Sequence, residues 1–209
     1  MDARILRVAD DRFAVPVEST AQGQALAAEF AKLDGCIDAV GAIACVEVRF
    51  DAAAMSTARF RASIRDVLSG FSGAEIGRGL VHEIPVEYGG AAGPDLDGVC
   101  AALGITVEEF IDRHTGGECI VAMLGFTPGF AYLDGMDAGL AVPRRNVPRS
   151  DVPAGSVGIA GPRTGIYSLQ GPGGWRIVGR TSRQLFDPAA PDPFLFAPGD
   201  RVRFVAVNR

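Results

Sequence analysis

Three arginines in one short segment, Arg144, Arg145 and Arg149, are the residues whose type and spacing could do chemistry. A guanidinium presents forked donors that match the oxygens of a carboxylate or phosphate. Pro143 and Pro148 stiffen the loop that carries them, so the arginines lose less entropy on meeting an anion. The competing reading is an exposed basic loop, ion-paired to Asp134, Asp137 or Asp151. Tyr167 and Trp175 follow Gly-rich turns, and their apolar bodies with polar tips suit either a pocket wall or core packing. His114 ends a predicted helix and reads foremost as a satisfied structural histidine, since the C-terminal dipole favours a charged imidazole without any ligand. Asp95, Asp134 and Asp151 could act as bases, but spacing selects none of them.

Other chemistries find less support. There is no GxSxG elbow, and neither Gly158–Gly161 nor Gly171–Gly174 carries the Lys-Ser/Thr ending of a P-loop. Those stretches read as turns of a β scaffold, with backbone amides that could also approach an anion. Cys36, Cys45, Cys100 and Cys119 lack CxxC spacing, and with only His82 and His114 beside them they are expected to be reduced thiols, with no metal site.

The elements that must position these residues change character along the chain. Strands are expected over 4–8 and 12–17, a helix over 21–33 capped by Ser19 or Thr20, strands over 37–40 and 42–50, and a second amphipathic helix over 55–68. This pattern suits a two-layer α/β sandwich with both helices on one face of an antiparallel sheet. The Gly-rich stretch 71–80 reads as a connection. A strand follows over 81–86, then short helices over 95–103 and 107–114 and a buried strand over 119–124. From Gly125 onward Gly and Pro recur too often for helix, and many short strands ending in 202–207 point to a closed barrel. The expected fold is α+β: an N-terminal domain over 1–80 and a β-barrel domain over 81–209.

The net charge of −5 argues against a general nucleic-acid binder, and no apolar run approaches the roughly 20 residues of a membrane span. The first residues carry scattered charges and no apolar signal core, so the expected compartment is the cytoplasm.

Several dense motifs go further. IPVEYGG at 84–90, GPDL at 93–96, GFTPGFAYL at 125–133, PRRNVPR at 143–149, VPAGSVGIAGPRTGIY at 152–167, GPGGW at 171–175, VGRT at 178–181 and LFDP at 185–188 resemble the family of the 5-oxoprolinase B subunit. That family also includes allophanate hydrolase subunit 1, the KipI-type inhibitors of sporulation histidine kinases, and half of the carboxyltransferase domain of urea carboxylase. The resemblance implies a cyclophilin-like barrel after the N-terminal domain. It implies a C subunit, which has its own cyclophilin-like barrel, together with an A subunit; the three cleave 5-oxo-L-proline to L-glutamate with ATP, and which of the three holds the ATP is left open. It also implies that the isolated chain is inactive, that the substrate is a small anion or amide, and that each role requires a partner-binding apolar patch on the barrel. A kinase inhibitor or a carboxyltransferase component in urea metabolism are the alternatives; the latter would need biotin from another protein, since no Met-Lys pair is present.

Carried over by motif position, Arg144, Arg145, Arg149, Thr164, Tyr167 and Trp175 would line the barrel's groove; Arg144, Arg149 and Tyr167 are the candidate catalytic residues, and Arg145, Arg163, Thr164, Trp175 and His114 the candidate substrate contacts. Arg163 stands where the family commonly has glutamine, and Ala131 where proline is usual.

Overall fold

The computed structural model describes residues 5–72 and 79–207. The chain falls into two compact units, Met1–Gly77 and Arg78–Arg209. Most of the Gly-rich connection read over 71–80, and the first residue of the strand read over 4–8, lie outside the described residues.

In the first unit, β1 (Leu6–Ala9), β2 (Arg12–Pro16), α1 (Thr20–Phe30), β3 (Cys36–Gly41), β4 (Cys45–Phe50) and α2 (Thr57–Gly70) follow in order. The four strands form an antiparallel sheet in the order β1-β2-β4-β3. Alternation in β2 and β4 turns Phe13, Val15, Val46, Val48 and Phe50 to one face, where Leu26 and Phe30 of α1 and Phe60 and Ile64 of α2 meet them. Both helices therefore cover the same face, as the pattern predicts. Phe50 and Phe60 stack with centroids 4.7 Å apart, and Phe13 lies 5.8 Å from Phe50. Each such ring, fully buried, contributes about 2–3 kcal/mol by area. The sequence extends α1 to residue 33; the helix instead ends at Phe30. Its last turn tightens, with the N–H groups of Lys32 and Leu33 donating to the carbonyls of Glu29 and Phe30 three residues back. The strand read over 42–50 begins only at Cys45, because residues 42–44 make the turn from β3.

The second unit holds β5 (Val81–Tyr88), α3 (Leu96–Leu103), α4 (Val107–Thr115), β6 (Cys119–Leu124), β7 (Ala131–Asp134), β8 (Arg149–Val152), β9 (Ser156–Ala160), β10 (Arg163–Ile166), β11 (Gly171–Gly173), β12 (Arg176–Arg180) and β13 (Arg201–Val207). Seven strands close into a barrel in the order β10-β7-β6-β13-β5-β12-β9. Every pairing in it is antiparallel except β13 with β5, which run parallel from Arg201 opposite Val81 to Val207 opposite Glu87. Closure leaves no open edge on these strands. The interior is filled by inward residues such as Ile84, Val121, Leu133, Ile159, Val178 and Phe204, on which Leu96 and Val99 of α3 and Phe110 of α4 pack. Thr106 caps α4 as the sequence predicts, its hydroxyl accepting from the N–H of Glu109 at 3.1 Å. The short β8–β11 pair forms a separate two-stranded ribbon. The α+β class and the barrel agree with the sequence reading.

Candidate functional site

Five aromatic side chains and one arginine surround a cavity of about 260 Å³ on the barrel unit. Phe126 and Phe130 come from the loop before β7, Tyr132 from β7, and Tyr167 from the turn after β10. Trp175 follows the Gly171–Gly174 stretch, and Arg144 comes from the loop before β8. The rings meet edge to face, with Phe130 at the hub: 4.8 Å to Tyr132, 5.0 Å to Tyr167 and 5.6 Å to Trp175 between centroids. Such edge-to-face pairs add to area burial and fix the walls. Gly173 is required here, since a Cβ on it would lie 2.2 Å from the Tyr167 hydroxyl. Burial raises the Tyr167 phenol above its ordinary range, against the lowering influence of the Trp175 backbone, Arg144 and Arg149. At neutral pH it is a hydrogen-bond donor, not a base.

Of the three loop arginines, only Arg144 lines this cavity. The other two are held by Asp95, fifty residues upstream at the start of α3. Arg145 donates to Asp95 Oδ1 at 2.8 Å; Arg149 grips both carboxylate oxygens, at 2.7 and 2.9 Å. The backbone N–H of Ile177 also donates to Asp95 Oδ2 at 2.7 Å. Burial by itself would raise this carboxyl, but Arg149, the Ile177 N–H and Arg145 outweigh it and hold it below the usual carboxylate range. Gly93, in the same GPDL stretch, has no room for a Cβ, which would fall 2.0 Å from the Val178 carbonyl. This close approach seats Asp95 on β12. A further tie joins the Arg145 N–H to the Gly174 carbonyl at 2.8 Å. The clamp thus fastens the loop bearing Arg144 to the segment bearing Trp175, so both walls of the cavity share one anchor. Asp134, Asp137 and Asp151, the ion-pair partners considered from sequence, lie elsewhere: Asp134 pairs with Arg163 at 2.6 Å, Asp137 accepts from the N–H of Gly139, and Asp151 accepts from Gln170.

The remaining expected contacts do not line the cavity. Arg163 is taken up by Asp134. Thr164 and His114 are buried in the barrel, 0% and 3% exposed. Thr164 Oγ1 donates to the Gly158 carbonyl at 3.2 Å and accepts from His114 Nε2 at 3.0 Å. This leaves His114 Nδ1 to accept from the Tyr88 hydroxyl at 2.7 Å. Every polar atom of the imidazole is satisfied by one neutral tautomer, with the ring stacked 4.5 Å from Phe204. Burial lowers His114 to about 4, the reverse of the charged imidazole expected from its place at a helix end. The dipole favours a charge there, and desolvation overrides it. Of the stretches read as turns, Gly158–Ala160 lies in strand β9 and Gly171–Gly173 forms β11, with Pro172, Gly173 and Gly174 in the cavity wall.

The four cysteines are free thiols, and among the described residues no group of three or more His, Cys, Asp or Glu side chains could hold a metal ion. None of the described helices is long and apolar enough to cross a membrane. Apolar side chains stand exposed on three neighbouring strands of the barrel: Val81 on β5, Ile120 on β6, and Val205 and Val207 on β13.

A family profile described as carboxyltransferase domain, subdomain C and D, matches residues 2–196. The chain belongs to this family. It is similar, at 54% identity over 123 residues, to the 5-oxoprolinase B subunit of Escherichia coli O157:H7, covering 59% of this chain and 56% of that one. The protein of the same name from Bacillus subtilis (strain 168) is 50% identical over 134 residues, 64% of this chain and 55% of the relative. The match thus spans little more than half the length of either relative. Among solved structures, TTHA0988 superposes with a TM-score of 0.81 at 35% identity, over 95% of this chain and 40% of that one. The K. lactis urea amidolyase superposes with a TM-score of 0.80 at 17% identity over 98% of this chain and 15% of its own, a likeness of fold alone.

The residue pattern points to Arg144, Tyr167 and Trp175 but not to the ring set of Phe126, Phe130 and Tyr132. Its signal was present, since GFTPGFAYL packs three aromatics into nine residues of a segment too broken for core helix. From its sequence position Asp95 reads only as a possible base. Its partners lie 50, 54 and 82 residues away, beyond any local pattern.

Proposed function

We propose that this chain is the B subunit of an ATP-dependent 5-oxoprolinase, working with the A and C subunits to open 5-oxo-L-proline to L-glutamate. The observation that carries the reading is the set of curated relatives, 47–54% identical over their matched regions and all named as the B subunit of 5-oxoprolinase. The cavity supports it: one guanidinium, a ring-lined wall and no carboxylate suit a small flat monoanion. Arg144 would take the carboxylate through charge-assisted hydrogen bonds. The protonated Tyr167 phenol would direct the ring or its carbonyl oxygen, and the aromatic walls would exclude all but the water that attacks the amide carbon. Arg149, bound to Asp95, would act by positioning.

Opening a lactam breaks a stable amide C–N bond, and in such an assembly ATP supplies the driving force. The cavity is a poor match for ATP itself, because it offers one cation and mostly hydrocarbon where a triphosphate needs several donors. We therefore propose that ATP is held by another part of the complex. The exposed apolar strip on β5, β6 and β13 supports a partner, as does TTHA0988, where the matched region is 40% of a longer chain.

The test is ATP-dependent glutamate release, with this chain purified alone and together with its C and A partners. Activity only in the full mixture, abolished by Arg144→Ala, is the expected result. An assembled but inactive mixture would overturn 5-oxoproline as substrate and direct attention to another amide or urea. Failure to assemble at all would overturn the reading of the chain as part of an enzyme complex and make kinase inhibition the one to test.

A further inference from the structure

Phe126 is anomalous in backbone and side chain together. Among the described residues it is the one non-glycine with positive φ, 69°. The Thr127 N–H donates to the Gly125 carbonyl at 2.8 Å, closing a three-residue γ-turn around it. A γ-turn with positive φ at its centre is rare and strained, and a residue with a Cβ there bears a cost that glycine would not. The side chain does nothing to offset that cost in the core, being 61% exposed. The turn is held by its surroundings: the Gly125 N–H donates to the Phe130 carbonyl and the Phe130 N–H to the Thr127 carbonyl, both at 3.1 Å. The Phe126 ring stands edge to face with Phe130 at 5.7 Å and Tyr167 at 6.5 Å, lining the same cavity as Arg144 and Trp175. Strain that persists at a solvent-facing aromatic beside a cation is the pattern of a ligand clamp.

We propose that Phe126 is a specificity-determining wall: the strained turn holds an exposed ring ready to cover a flat cyclic carboxylate seated on Arg144, so that the site selects cyclic over acyclic anions of equal charge. This deepens the reading of the pocket as a 5-oxoproline site and rests on its being a ligand site. A pre-placed ring loses little entropy on binding, and a flat ligand presents it a full face. An acyclic chain presents less surface and must itself be ordered.

Trp175, the only tryptophan, lines the cavity, so its emission reads occupancy without a label. The full chain would be titrated with 5-oxoproline, pyrrole-2-carboxylate and N-acetylglycinate, in the wild type and in Phe126→Gly and Phe126→Leu, with thermal melts alongside. The wild type should bind at least one cyclic anion roughly tenfold more tightly than N-acetylglycinate. Phe126→Gly should lose most of that preference while its Tm stays level or rises, because glycine relieves the turn. Phe126→Leu keeps the strain and loses the flat face, so its preference should fall without any gain in Tm. The proposal is overturned if Phe126→Gly binds cyclic anions as tightly as the wild type, if the wild type does not prefer them, if none binds, or if Phe126→Gly lowers Tm like an ordinary core truncation. Pyrrole-2-carboxylate bound in a Phe126-dependent way, with 5-oxoproline inert, would sink the 5-oxoproline reading and leave this one standing.

Discussion

Acid should weaken the barrel through a single buried imidazole. His114 sits among Tyr88, Phe110, Thr164 and Phe204 in one neutral tautomer, and protonation would place a second N–H against the Tyr88 hydroxyl, whose proton already points at Nδ1. With a folded pKa of about 4 against an ordinary 6.5, the unfolded chain binds the proton more readily across that interval. Stability from this residue is therefore complete above pH 6.5 and is lost as pH falls toward 4. Linkage gives a loss of about 1 kcal/mol at pH 6, about 2 at pH 5 and about 3 at pH 4. Asp95 does not confuse the window. Its lowered pKa makes its contribution persist to more acid pH and disappear only as pH falls through that lowered value. The assay is urea unfolding from pH 7 to pH 5 for the wild type and His114→Gln, read as the difference between the two. Groups common to both then cancel. The gap should narrow by about 2 kcal/mol toward pH 5. A gap that stays flat, or a His114 resonance that titrates near 6.5, would refute the neutral buried tautomer and restore His114 as a candidate for contact with ligand.

Arg144 is exposed and outside the clamp, so Arg144→Ala should leave unfolding nearly unchanged while weakening binding of a carboxylate probe by about 10–100-fold, the value of a charge-assisted bond; calorimetric titration and a melt separate the two. Asp95→Asn removes one partner of a largely buried ion cluster and should cost about 2–4 kcal/mol in urea unfolding, below the full penalty for a buried pair because Arg145 and Arg149 remain 30% and 24% exposed. Gly173→Ala forces Tyr167 out of place and should destabilise by about 1–3 kcal/mol, with a shift in Trp175 emission as the wall moves; an unchanged spectrum would contradict the contact.

The elements were legible because their causes are local. The spacing of Phe60 and Ile64 announces α2 by period, although not its Ser56 cap or its start at Thr57, and Thr106 announces α4 by its cap. The barrel was legible from punctuation, since Gly and Pro leave nothing but short strands after Gly125. The site was legible by residue type and not by role. Three arginines looked alike in the loop, and a carboxylate fifty residues earlier decides which of them remains free to meet a ligand. The sign of φ at Phe126 was likewise invisible, because it is imposed by hydrogen bonds from Thr127 and Phe130 and not by any preference of phenylalanine. The charge state of His114 was misread for the opposite reason, although its structural role was not. Its helix-end position is a local cue, and burial by β5 and β10 outweighs it.

The parallel seam between β5 and β13 has a consequence for synthesis. The first barrel strand waits for the last, 120 residues downstream, as the Glu83–Arg203 pair across the seam measures. At roughly 5–20 residues per second this is a delay of about 6–24 seconds on the ribosome. During it Ile84 and Val86 are made but have no neighbouring strand on that side. Until Arg201–Val207 emerges the barrel is an open sheet with two free edges, so a stall or cleavage before residue 201 yields an adhesive intermediate and not a smaller working domain.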